Sequence, residues 1–129
     1  MKTYLNPDSL SRNPAFTQAI VVESPSRTVY VGGQNAITAD GTIVGETLSE
    51  QAHQALRNLE AALEAAGAKL TDVVRWNVAI VQGQPVGEGF GAFREAWGDA
   101  GDPPTITVHV VAGLANPRFL VEIDAIAVL

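Results

Sequence analysis

The chain has 129 residues, 47% hydrophobic and 17% charged, which excludes intrinsic disorder and fits a single domain spanning 1–129. Fourteen acidic residues face eight scattered basic ones, and this net charge of −6 argues against a nucleic-acid partner, whose phosphates require clustered Lys and Arg. Cysteine is absent, so disulfides, zinc thiolates and thiol nucleophiles are excluded. No apolar run approaches the ~20 residues of a membrane span, residues 1–6 lack a signal-peptide core, and a cytoplasmic protein is expected.

Residues 1–13 are polar and read as an arm or loop. Ala19 to Glu23 and Thr28 to Val31 are β-branched runs on either side of Ser24-Pro25-Ser26, a pattern that predicts a hairpin. Gly32-Gly33 follows, then a segment from Ile37 to Val44 with a turn at Asp40-Gly41. Thr47 and Glu50 have the spacing of a capping box, in which each satisfies a backbone donor at a helix start. Apolar residues then recur at steps of three and four from Leu48 to Ala66, and Gly67 is a suitable stop. A helix over about 48–66 is predicted.

Val73 to Val81 alternates like a strand, with Val74, Trp76, Val78 and Ile80 on one face. Gly83 to Gly89 reads as loop, and Phe90, Phe93, Ala96 and Trp97 suit a short helix whose aromatics are core. Gly98 to Pro104 is loop. Thr105 to Val111 and Phe119 to Val128 are the last two strands. Two helices cannot cover both faces of a sheet of five or six strands, so they should share one face in a two-layer α+β domain. The other face also carries Val, Ile and Ala, and its burial against a partner subunit is expected.

Residues with chemical potential are few. His53 and His109 sit on different elements with no metal-ligand spacing. Gly32-Gly33-Gln34 lacks the remaining glycines of a dinucleotide fingerprint and the Gly-Lys-Thr of a phosphate loop. Glu122 and Asp124, two apart on the last strand, point to the same face; they suit either a solvated edge or a cleft whose carboxylate orients water. Arg75 and Arg118 are the candidate anion ligands, because a guanidinium fork matches a carboxylate.

Several stretches, from Phe16 to Leu129, resemble the RidA/YjgF family of imine/enamine deaminases, also called endoribonuclease L-PSP. They are Phe16-Thr17-Gln18-Ala19, Val31-Gly32-Gly33-Gln34, the helix from Gln51 to Gly67, Asp72-Val73-Val74, and Val121-Glu122-Ile123-Asp124-Ala125-Ile126-Ala127. The resemblance implies a chorismate-mutase-like fold, a homotrimer arranged as a barrel with its sheets facing inward, and small-molecule clefts between subunits. It also implies hydrolysis of 2-imino acids to 2-keto acids and ammonia, without a cofactor or metal.

At the family's site the chain departs from the pattern. Thr105 in Pro103-Pro104-Thr105 stands where active members carry the arginine that holds the substrate carboxylate, so the chain resembles arginine-lacking subgroups. Phe16 replaces a cleft tyrosine, Gly32 replaces a serine, and Glu122 is retained. The expected site is therefore Glu122 as the catalytic group, with Phe16, Gly32, Gly33, Gln34, Thr105, Thr107, Arg75 and Arg118 around the substrate. Three readings follow: a hydrolase of a small imine, enamine or related metabolite; a non-catalytic metabolite-binding or regulatory trimer; and, most distantly, a ribonuclease or translation inhibitor.

Overall fold

The computed structural model describes residues 1–129. Strands β1 (Lys2–Leu5), β2 (Ala19–Val22) and β3 (Thr28–Gln34) precede helix α1 (Leu48–Ala65). A short 3-10 turn (Leu70–Asp72) leads into β4 (Val73–Val81), α2 (Val86–Trp97), β5 (Thr105–Val111) and β6 (Val121–Val128). The main sheet has four strands in the order β3-β6-β4-β5. β6 runs antiparallel to both its neighbours, and β4 and β5 are parallel, joined by α2. The two-layer α+β expectation holds, with a mixed sheet and both helices on one face.

The N-terminal third differs from its sequence reading. Residues 2–5 are a strand rather than an arm, and β2 pairs with β1, not with β3. The Ser24-Pro25-Ser26 turn therefore links two sheets instead of closing a hairpin. Lys2 to Leu5 alternates half-buried and exposed positions, and four residues give too short a period-two pattern to stand out. The Asp40-Gly41 turn forms as expected: the Asp40 carboxylate accepts from the Thr38 hydroxyl and the Thr42 backbone N–H, and Gly41 takes φ +87°.

α1 begins as its capping box requires. The Thr47 hydroxyl accepts from the Glu50 N–H, and the Glu50 carboxylate accepts from the Thr47 N–H. Leu48, Ala52, Ala55, Leu56, Leu59 and Leu63 are buried along one stripe against β3 and β6. α2 starts one turn earlier than the aromatic spacing indicates, at Val86, because Pro85 serves as its N-cap. A bulge at Val74 shifts the β4 register, so Val73 is buried and Val74 is only half-buried, contrary to the simple alternation.

Buried Gln51 links the two layers. Its Nε2 donates to the carbonyls of Gly45 (3.2 Å) and Arg118 (2.9 Å), and its Oε1 accepts from the Leu120 N–H (2.8 Å). The side chain thus pairs three partly buried backbone groups of the loops that join helix to sheet. Gln51→Leu keeps the volume but leaves those groups unpaired, and is expected to cost ~2–4 kcal/mol in urea unfolding; a loss within error of zero would show that the clamp is replaceable. Hydrogen bonds from Thr47 and the backbone hold the Glu50 carboxyl below the usual carboxylate range. Its stabilising contribution is therefore complete above its ordinary value of 4.5 and fades as pH falls below it. Glu50→Gln should flatten that part of the acid limb of the stability curve.

Candidate functional site

The sheet face away from the helices carries a grid of side chains. Cross-strand register sets three rows. Glu122, Ala79 and His109 form the first; Asp124, Asn77 and Thr107 the second; Ile126, Arg75 and Thr105 the third, with Tyr30 beside Ile126. This face is more polar than the sequence reading held. Its centre is Glu122, Asp124, Asn77 and Thr107 with Ala79 among them, and the larger apolar members Ile126 and Tyr30 lie toward one margin, Tyr30 77% exposed.

Glu122 is half-buried and lies over Gly33. A Cβ built at Gly33 would fall 2.8 Å from the Glu122 carboxyl carbon, so the glycine is what lets the carboxylate rest against the strand. Residues 32–34 coincide with a register shift between β3 and β6, which opens the pairing beside Glu122. Gln34 curls back, its Nε2 donating to the Gly32 carbonyl at 3.2 Å. The next residue, Asn35, donates to the Val121 carbonyl at 3.0 Å, and Asn58 of α1 donates to the carbonyls of Asn35 and Ile37, each at 2.8 Å. These amides fix the turn after Gly33 to the strand that carries Glu122.

In the second row, Asn77 Nδ2 donates to the Asp124 carboxylate at 3.0 Å. Asn77 Oδ1 is buried and has no partner. The sequence reading missed Asn77. The available signal was an amide in mid-strand, one position from Trp76, on the same face as Asp124.

In the third row, the Thr105 hydroxyl donates to the Val74 carbonyl at 2.8 Å. Its one proton is thus committed to the β4 bulge. Arg75 is its register partner on the neighbouring strand and is exposed. Phe16 is half-buried, and the following residue is tied to the approach to β5: Thr17 N–H donates to the Pro104 carbonyl at 3.1 Å, and its hydroxyl donates to the Pro103 carbonyl. The segment after Phe16 therefore lies against the residues that lead into Thr105.

Glu122 belongs to the end of the face away from Thr105. Four residues of β5 and two interstrand steps separate its row from Thr105, about 16 Å by strand geometry. Arg118 stands apart from both ends, exposed on the loop before β6, with its carbonyl held by Gln51 on the helix side. His53 lies outside the face as well: its Nδ1 donates to the Ser49 carbonyl at 2.7 Å, and its Nε2 meets the Glu95 carboxylate of α2 at 3.1 Å. No group of His, Cys, Asp and Glu side chains is arranged to hold a metal ion.

The family profile described as Endoribonuclease L-PSP matches residues 8–129. The chain belongs to the RidA/YjgF family. It is 35% identical over 117 residues to the 2-iminobutanoate/2-iminopropanoate deaminase of Rattus norvegicus, covering 88% of this chain and 80% of that protein. Among solved structures, the Rid-family protein YyfB of Yersinia pestis superposes with a TM-score of 0.86 at 34% identity, covering 99% and 98% of the two chains. Rv2704 of Mycobacterium tuberculosis, a YjgF/YER057c/UK114 family member, superposes at 0.70 with 26% identity over both chains in full. No helix is long and apolar enough to cross a membrane.

The atom that an alanine at Gly33 would strike is the far end of a flexible side chain. Gly33→Ala should therefore displace the Glu122 carboxylate and cost little stability, ~1 kcal/mol or less. A crystal structure with Glu122 unmoved, or a variant that fails to fold, would show that the glycine has another role.

Proposed function

We propose that this protein assembles as a homotrimer and hydrolyses a small imine or enamine in clefts formed where the polar sheet faces of neighbouring copies meet. The observation that carries the reading is the seating of Glu122 over Gly33, which holds a half-buried carboxylate against bare backbone on an uncovered face. The separation of Glu122 from Thr105 supports a site shared between copies, since a small ligand cannot span about 16 Å. The similarity to 2-iminobutanoate/2-iminopropanoate deaminases supports the reaction class.

In this reading Glu122 orients a water toward the C=N carbon and accepts one of its protons. With the imine protonated at the outset, the resulting carbinolamine takes that proton on nitrogen; as the C–N bond breaks, its hydroxyl proton passes to the freed Glu122 carboxylate, leaving ammonia and the carbonyl product. Imine hydrolysis is intrinsically easy, so positioning and one general acid–base group supply most of the required acceleration. The backbone of Gly32, Gly33 and Gln34 borders the reacting centre, and Phe16 forms an apolar wall. Thr107 lies in the row of Asn77, whose free Oδ1 suits a donor on the ligand or on a second copy.

Thr105 cannot replace an arginine, because its hydroxyl proton is committed to Val74. Arg75 can, since it lies beside Thr105 on the same face with an unpaired guanidinium. A carboxylate placed over this row would meet a bidentate cation from β4 rather than β5. Arg118 has no comparable position. The commitment of Thr105 also favours a second reading, a metabolite-binding trimer without turnover. The ribonuclease reading has less support, because fourteen acidic residues outnumber eight basic ones and the face contains two carboxylates.

The test is hydrolysis of 2-iminopropanoate, generated by an amino-acid oxidase and trapped competitively by semicarbazide. Wild type should reduce semicarbazone formation. Glu122→Gln should lose ~10²–10⁴-fold in rate while remaining assembled. Arg75→Gln should raise KM for imino acids, and Thr105→Arg should lower it. An inert wild type that is thermally stabilised by 2-imino or 2-keto acids would favour the binding reading. A wild type neither active nor stabilised would overturn both.

A further inference from the structure

A second cleft lies on the opposite side of the sheet, between α2, the first half of β4 and the segment that approaches β5. Its volume is about 220 Å³. Trp76, Phe90, Phe93, Trp97 and Ile106 form apolar walls, and Arg94 is at its rim. Trp76 packs edge-on against Phe93 at 5.4 Å and against Trp97 at 6.0 Å, so the three rings brace one another. Trp97 is further held by its Nε1, which donates to the Gly101 carbonyl at 2.9 Å. That indole donor is therefore satisfied and asks nothing of a ligand.

Arg94 is different. Its guanidinium makes no hydrogen bond and no ion pair; the one ion pair of the chain is His53–Glu95. The cleft thus joins stacking walls to one free, planar, bidentate cation. A cavity of about 150 Å³ already holds a benzene ring, and this one has room for a ring and a substituent. A guanidinium at the rim matches a carboxylate in charge and shape.

We infer that this cleft binds a planar aromatic carboxylate of one ring, with the ring among Trp76, Phe93 and Trp97 and the carboxylate on Arg94. The site is separate from the polar face: Trp76 and Ile106 point to the helix layer, and their neighbours Arg75 and Thr105 point away from it. It does not depend on the reaction proposed above.

The chain has two tryptophans, and both line the cleft. Their indole N–H resonances in ¹H–¹⁵N spectra are direct reporters. Benzoate titrated to millimolar concentrations should move both resonances saturably. Arg94 is exposed, so Arg94→Gln should fold normally; it should weaken benzoate about tenfold and leave the weaker binding of neutral benzamide unchanged. No saturable movement with benzoate would overturn the site. Equal benzoate affinity in wild type and Arg94→Gln would overturn the role of the carboxylate.

Discussion

Two helices can cover one face of a four-stranded sheet, and here both lie on the same side. Trp76, Val78, Ile80, Val121, Ile123 and Ala125 fill the layer beneath them. The opposite face has no cover within the chain, and the alternation of the strands gives it every second residue of β4, β5 and β6. Those residues are neither a uniformly solvated surface nor a hydrophobic patch. They include two carboxylates, an amide with a buried unpaired oxygen, two threonines, a histidine and an arginine. A sheet face of that composition is suited to contact with a second copy that leaves polar, ligand-sized space between.

Precision on that face comes from the other side of the sheet. Gln51 of α1 fixes the loop that leads into β6, and so fixes where Glu122 emerges. Asn58, on the same helix, fixes the segment following Gly33. A buried amide that closes several backbone hydrogen bonds costs little when satisfied and much when disturbed. The helix thereby sets the spacing between a glycine and a glutamate that it does not touch. The bulge at Val74 has a similar effect at the far end, where it presents the carbonyl that takes the Thr105 proton.

The sequence was most legible where one periodic pattern ran long. α1, β4 and β5 are where alternation and the capping box put them, and Glu122 and Asp124 share a face as period two requires. Legibility fell where pairing is non-local. Nothing in Ala19 to Val31 indicates that β2 would pair backward with residues 2–5 rather than forward with β3. The Val74 bulge is set by tertiary register, and the neighbourhood of Arg75 with Thr105 emerges only once β4 and β5 are aligned in parallel. The commitment of the Thr105 hydroxyl is a hydrogen bond between strands distant in sequence, which no motif encodes. The resemblance to a deaminase family pointed to Phe16, Gly32, Thr105 and Glu122, and the register of the sheet sets Thr105 and Glu122 at opposite ends of one face.

That division makes assembly the central physical claim, because one copy holds Glu122 and Thr105 too far apart to serve one small ligand. Sedimentation equilibrium of the intact protein measures it directly. A single species of three times the 13.6 kDa chain mass, stable to dilution, is the predicted result. A monomer at every concentration would contradict the account, since the polar face would then be open solvent surface and Glu122 would have no opposing wall.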